Sequence, residues 1–281
     1  MTLIQTRDLF RSTLSALYPE REIDDLFKRL IHHYFQWESV KIALEPHYLL
    51  TATEQEKINT SLPLLQAAVP FQYVVEKSHF YGLDLYVNSA VLIPRPETEE
   101  LVAWILQEEI NPLHLMDLGT GSGSIALALK SQRLSWKITA VDISSEALKV
   151  AQYNADTHSL TVDFLQRDLL SFDTSEFEKQ DILVSNPPYV LPSERNKMHA
   201  NVLDNEPEVA LFVPENDPLL FYRAILEKGK ELLKPKGRIY FEINPLCCDA
   251  LIELCHSFGY TDVVVKHDIF QKKRMLKMSL E

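Results

Sequence analysis

Two short segments hold residue types whose spacing suits chemistry. One is Asp117-Leu118-Gly119-Thr120-Gly121-Ser122-Gly123, which gathers three of the chain's seven glycines into five residues. Glycine reaches positive φ and lets backbone approach a ligand, so a strand, a glycine-rich turn and a helix start together form a ligand-binding corner. The other is Asn186-Pro187-Pro188-Tyr189, directly after Asp181-Ile182-Leu183-Val184-Ser185. Asn-Pro-Pro can be a stiff turn and nothing more. At the carboxyl end of a strand in an α/β sheet it points into the same crevice as the glycine corner.

The residue types fit work on a flat NH₂ group. An amide or aryl amine is a weak nucleophile because its nitrogen lone pair is delocalised. The side-chain oxygen of Asn186 and the carbonyl of Pro187 can each accept one N–H, which aims the nitrogen at an electrophile. Proline stiffens the corner and removes a competing donor. Tyr189 can stack on the flat group and keep water away. An in-line displacement follows, with Asn186 and Pro187 as catalytic groups and Asn186, Pro187, Pro188 and Tyr189 holding the substrate. Carbonyl dipoles stabilise the charge that develops on nitrogen, so neither a metal nor a covalent enzyme intermediate is needed.

The electrophile's carrier is read from the acids. Asp142 ends the next strand about twenty residues after the glycines, where an acid accepts from both ribose hydroxyls of a nucleoside. Asp168 can accept from an adenine amine while Leu169 packs on the ring. Gly121, Gly123 and Ala126 also satisfy the dinucleotide form G-x-G-x-x-A, so a nicotinamide cofactor stays open on the glycines alone. Asp117 favours a methyl donor: it lies near the ammonium of a methionine moiety, and it would repel a pyrophosphate. The expected cofactor is S-adenosylmethionine, leaving as S-adenosylhomocysteine. Its expected contacts are Asp117, Gly119, Gly121, Gly123, Asp142, Asp168 and Leu169.

The elements that must position these residues are legible in the apolar spacing. Up to about residue 70, Phe10, Leu14 and Leu17, then Ile23, Leu26, Phe27, Leu30, Ile31 and Tyr34, recur every three or four residues, predicting a bundle of four or five short helices. Thr53 with Glu56 resembles a capping box. From Phe71 to Leu92, Tyr73-Val74-Val75 and Leu83 to Val87 flank Gly82 as strands of a hairpin-like connector. A helix is predicted to start near Glu97, after two prolines.

Beyond residue 112, strand candidates are His114 to Leu118, Lys137 to Val141, Thr161 to Leu165, Asp181 to Val184, Arg238 to Ile243, Asp262 to His267 and Arg274 to Ser279. Helices are predicted over Ser124 to Ser131, Ser145 to His158 and Pro218 to Leu233. This alternation implies an α/β fold with a mainly parallel sheet and helices on both faces. The last two strands, closely connected, should pair antiparallel. The expected division is residues 1–70, 71–93 and 94–281.

Bulk properties narrow the field. The chain has 281 residues, 46% hydrophobic and 24% charged, as in ordinary globular proteins. No stretch approaches the roughly 20 apolar residues of a membrane span. Arg7, Asp8 and Arg11 begin no secretory signal, so no membrane association and a cytoplasmic location are expected. Cys247, Cys248 and Cys255 read as buried reduced thiols on a helix rather than a disulfide or metal site. The net charge of −12 weighs against a direct nucleic-acid substrate.

The motifs together resemble the protein-glutamine methyltransferases called PrmC or HemK. The resemblance covers nearly the whole chain. It rests on Pro70-Phe71-Gln72-Tyr73, Phe80-Tyr81-Gly82, Val91-Leu92-Ile93-Pro94-Arg95-Pro96-Glu97-Thr98-Glu99, the glycine corner, Asn186-Pro187-Pro188-Tyr189, and Asn205-Glu206-Pro207 with Ala210-Leu211. The Ile-Pro-Arg-Pro-Glu-Thr-Glu run is the most specific part. It implies a Rossmann-like class I methyltransferase with a mostly parallel seven-stranded sheet, plus a small N-terminal helical bundle. The implied substrate is the glutamine of a Gly-Gly-Gln loop in class I peptide chain release factors, which the helical domain over 1–70 would contact. The resemblance also implies that Thr120, Ser122 and Asn186 join the residues holding S-adenosylmethionine, and that Arg95 and Glu97 help shape the pocket wall.

Three positions depart from the pattern: Glu76, Asn244-Pro245 and Asp268 to Arg274, where the family usually has glycine. None is expected to touch the reaction centre. The rival readings are a glutamine methyltransferase acting on a ribosomal protein and an adenine-specific DNA methyltransferase, the latter predicting a flipped-base pocket and a basic groove. A non-catalytic binding module and a nicotinamide dehydrogenase are opposed by Asn186 with Asp142 and by the tetrapeptide, respectively.

Overall fold

The computed structural model describes Met1 to Glu281, the side chain of Lys197 excepted. The chain divides into two compact units. One is Met1–Glu76 with His199–Asn205, and the other is Lys77–Met198 with Glu206–Glu281.

The first unit is helical over Leu3–Leu14, Glu20–Phe35, Ser39–Leu44, Ala52–Gln66 and Phe71–Val74. Its core gathers Phe10, Leu14, Ile23, Phe27, Leu30, Ile31 and Ile58. The three-four spacing therefore marks the buried face, although Leu17 lies beyond the first helix and is exposed. The fourth helix is capped by Thr51, not Thr53. Thr51 Oγ1 accepts from the amide of Glu54, and Glu54 accepts from the amide of Thr51 at 2.8 Å. Both Thr-x-x-Glu pairs have the right spacing, and the one adjoining the extended residues wins. Tyr73 and Val74 lie in a helical turn rather than the predicted strand, because Pro70 caps the turn and its carbonyl accepts from both amides.

In the second unit, β1 (Lys77–Phe80) and β2 (Leu83–Tyr86) form the hairpin, with Tyr81 and Gly82 at positive φ in its turn. The main sheet has seven strands: β3 (His114–Leu118), β4 (Lys137–Asp142), β5 (Asp163–Gln166), β6 (Gln180–Ser185), β7 (Leu233–Glu242), β8 (Tyr260–His267) and β9 (Lys273–Leu280). Their order is β5-β4-β3-β6-β7-β9-β8. The first five run parallel, and β9 pairs antiparallel with both β7 and β8.

Each strand candidate lies within about two residues of an observed strand end, except that β7 begins earlier, at Leu233. Ile182, Leu183 and Val184 are buried because the sheet is covered on both faces. The helices Pro96–Glu108 and Ser124–Gln132 close one face, and Leu220–Leu232 and Cys248–Ser257 close the other. The order reverses between β3 and β6, so their carboxyl ends flank the switch point where open α/β sheets bind ligands. Two apolar clusters, one per face, pack behind this edge.

Candidate active site

The glycine corner leaves β3 at this switch point. Gly119, Gly121 and Gly123 all have positive φ, at 79°, 55° and 81°. The amides of Gly119 and Thr120 both donate to the carbonyl of Val141, and that of Gly121 donates to Asp142 Oδ2 at 2.8 Å. The corner is thus tied to the end of β4. A Cβ on Gly121 would meet nothing within 4 Å, so its backbone faces open space. Gly123 instead opens the helix Ser124–Gln132, against Leu127 and Ala151.

Gly119, Gly121, Asp142, Asp168, Leu169 and Asn186 line one cavity of about 310 Å³. Asp142 also accepts from the amide of Ser144 at 2.9 Å. Burial raises its pKa against the lowering effect of these amides. Asp168 accepts from the amide of Leu170 and the hydroxyl of Ser171, which fixes its carboxylate at the cavity's edge.

Asp117, Thr120, Ser122 and Gly123 lie outside these walls. Asp117 is fully buried and accepts from Thr120 Oγ1 at 2.7 Å. Its other oxygen, Oδ1, makes no close hydrogen bond among the described residues, although the backbone amide of Ala126 lies near enough to favour the ionised carboxyl, and the buried hydroxyl of Ser122 has no partner among them. Desolvation pushes the Asp117 carboxyl up to about 7, with the nearby Asp142 adding to it. The open glycine turn and the Asp142 carboxylate at the cavity suit, as backbone and acceptor, the backbone-contacting and ribose parts of S-adenosylmethionine, and the acidic Asp117 behind the turn suits the charge of its ammonium.

Asn186 belongs to two cavities. The second, of about 180 Å³, is lined by Arg95, Asn186, Pro187, Tyr189 and Met198, while Pro188 faces the first. The tetrapeptide therefore sits between the spaces and has access to both. Asn186 Nδ2 donates to Thr98 Oγ1 at 3.4 Å, and Tyr189 donates its hydroxyl proton to Glu242 at 2.9 Å. Burial and Glu242 hold the Tyr189 phenol well above its usual range, so it stays a neutral donor. Arg95 is anchored to the buried Glu206.

Sequence reasoning missed Ile143, Val209 and Phe221 in the first cavity, and Thr98 and Glu242 behind the second. No local motif marks the first three. Asn244 corrects the expectation for the departing positions: its Nδ2 donates to the carbonyl of Tyr189 at 3.1 Å and to Glu194 at 2.9 Å. It therefore touches the tetrapeptide. Glu76 and Gln271 carry positive φ, at 52° and 62°, which explains why glycine suits those turns. The three cysteines are buried and unpaired. Among the described residues no helix is long and apolar enough to cross a membrane.

Known proteins resemble this chain in sequence and in fold. Residues 98–209 match the family model described as "Methyltransferase small domain". A release factor glutamine methyltransferase of Flavobacterium psychrophilum is 37% identical over 99% of each chain. One from Bacteroides thetaiotaomicron is 41% identical over 95% of this chain and 96% of its own. Among solved structures, the hMettl16 catalytic domain aligns over 82% of each chain with a TM-score of 0.57. A methyltransferase from Pyrococcus furiosus aligns over 82% of this chain and 98% of its own, with a TM-score of 0.52. Both are 14% identical, a likeness of fold alone.

Proposed function

This chain belongs to the release factor glutamine methyltransferase family, and from that premise we propose that it methylates the side-chain amide nitrogen of the glutamine in the Gly-Gly-Gln loop of a class I release factor. It is an S-adenosylmethionine-dependent protein-glutamine N-methyltransferase. The observation that carries the substrate reading is the membership of Asn186 in two cavities, one flanked by the glycine corner and one lined by Arg95, Pro187 and Tyr189.

When bound, S-adenosylmethionine supplies an electrophilic methyl group on a sulfonium. Gly119, Gly121, Asp142, Asp168 and Leu169 hold it in the larger cavity, with the carboxyl of Asp117 and the hydroxyl of Ser122 behind the loop. Asn186 Oδ1 and the Pro187 carbonyl accept the two N–H groups of the glutamine amide and turn its nitrogen toward the larger cavity. Their dipoles favour the positive charge that builds there. Tyr189 and Arg95 wall the smaller cavity, and Pro188 keeps the turn stiff.

The test is transfer of label from S-adenosylmethionine. The purified chain is expected to label a release factor, and to leave unlabelled a variant whose loop glutamine is replaced. Label on a ribosomal protein or on DNA, with none on the release factor, would overturn the assignment.

A further inference from the structure

Glu242 is an acid that the reaction above does not use. It ends β7, is 1% exposed, and its neighbour Phe241 pairs with Ser185, the residue before Asn186. Its two oxygens serve two elements. Oε2 accepts from Thr98 Oγ1 at 2.6 Å, in the first turn of the helix Pro96–Glu108, and Oε1 accepts from the Tyr189 hydroxyl at 2.9 Å. Its backbone carbonyl accepts from Tyr222 at 3.0 Å, which fixes the strand end.

These contacts have a direction. Burial raises the Glu242 pKa, but the Thr98 and Tyr189 hydroxyls and the nearby Arg274 favour its ionised form; as a carboxylate it only accepts, so the single hydroxyl proton of Thr98 is committed to it. Thr98 then presents lone pairs alone to Asn186. The Asn186 amide must answer with Nδ2, as it does at 3.4 Å. The amide is planar, so holding Nδ2 on Thr98 places Oδ1 on the opposite fork.

We infer that Glu242 and Thr98 form a positioning relay that sets the flip of the Asn186 carboxamide, presenting its oxygen rather than its nitrogen to the substrate amide, while the same carboxylate holds Tyr189 in place. This inference rests on the reading of Asn186 as an acceptor for the glutamine amide. A buried acid is costly to desolvate, and an apolar side chain of similar volume would fill the space more cheaply. A directional acceptor is what the acid adds. Neither residue lines either cavity, so both act through Asn186 and Tyr189.

The test compares T98V, T98S and E242Q in the full chain, with a release factor as substrate. T98V keeps the shape and loses the hydroxyl. It is expected to lower kcat by about 30-fold, with KM for the release factor and the Kd for S-adenosylmethionine within about threefold. T98S restores the hydroxyl and is expected to stay within about threefold of the parent. E242Q can donate to Thr98 and so permits both flips, and a loss of about tenfold is expected. Combining T98V with E242Q should lower kcat by clearly less than the product of the two single losses, because the two share the Thr98 link and E242Q adds only its effect on Tyr189.

Equal losses in T98V and T98S, or losses that multiply in the double variant, would overturn the relay. So would a T98V enzyme with unchanged kcat. If E242Q does not fold, the Thr98 pair decides alone. Absence of release-factor methylation by the parent chain would instead remove the reading on which the relay rests.

Discussion

Arg95 and Glu206 lie 111 residues apart and meet through a single nitrogen, with Arg95 Nη2 at 2.7 and 2.8 Å from the two oxygens of Glu206. The Glu206 side chain is 1% exposed and that of Arg95 is 32% exposed. The carboxylate also accepts from the amide of Ile93 at 3.2 Å. Removing the cation leaves a buried anion with only that amide among the described residues. R95A is expected to destabilise the fold by about 3 kcal/mol, measured by urea unfolding. A loss below about 0.5 kcal/mol would show that water replaces the guanidinium without penalty.

Asn186 should separate binding from turnover. N186A is expected to leave S-adenosylmethionine affinity within about tenfold while lowering kcat by about a hundredfold or more. Titration calorimetry and single-turnover methylation give the two numbers. Equal losses would make Asn186 a cofactor-holding residue instead.

The Asp117 carboxyl, pushed up to about 7 by burial, makes stability depend on pH. The unfolded chain loses this proton near the ordinary 3.8, whereas the folded chain keeps it until about 7. Between those values the folded state binds more protons, so the contribution of Asp117 to stability falls as pH rises, and it levels off above about 7. The D117N chain carries no such ionisation. Its stability relative to the parent is expected to improve by about 2–3 kcal/mol from about pH 5 to about pH 7 and then to stay constant. Denaturant curves without cofactor, taken at unit steps from about pH 5 to about pH 8, report the difference. A flat difference would place the Asp117 titration outside this range.

Two glycines of one loop should fail differently. A Cβ on Gly123 would lie 3.1 Å from Leu127 and 3.2 Å from Ala151, at a φ of 81°. G123A is expected to cost about 2 kcal/mol or more in stability, combining left-handed strain with crowding. Gly121 has only the strain, about 1 kcal/mol, but its Cβ would project into open space beside the cavity. G121A should therefore lose cofactor affinity out of proportion to its melting temperature. Equal melting temperatures for the two variants would contradict the contrast.

The Asn244 side chain ties the Tyr189 carbonyl to Glu194 while accepting from the amide of Leu246. N244G removes all three bonds. A drop of about fivefold or more in kcat is expected, against a view of Asn244 as filler. Steady-state methylation at saturating cofactor measures it, and unchanged kcat would show that the tetrapeptide holds its shape unaided.

Much of the sheet is legible in the sequence because its strands are apolar runs separated by amphipathic helices. The apolar run Ile182-Leu183-Val184 fits only a strand buried on both faces. Asn186 and Gly121 are conspicuous because proline and glycine carry backbone consequences that no neighbour can change. Thr98 and Glu242 are not, since their meaning is a contact across 144 residues. Outside the main sheet, Tyr73-Val74-Val75 misleads because its β-rich composition yields to the turn set by Pro70. Thr53 misleads because its capping box has a twin two residues earlier, at Thr51.

The helical unit takes in His199–Asn205, a stretch translated well over a hundred residues after its last long helix, and Asn205 there donates to the carbonyl of Ala68. At about 5–20 residues per second of synthesis, the N-terminal bundle emerges from the ribosome many seconds before it can be completed. A truncation ending at residue 76 would freeze that unfinished state permanently, so any recombinant fragment meant to mimic the bundle needs the later stretch grafted back.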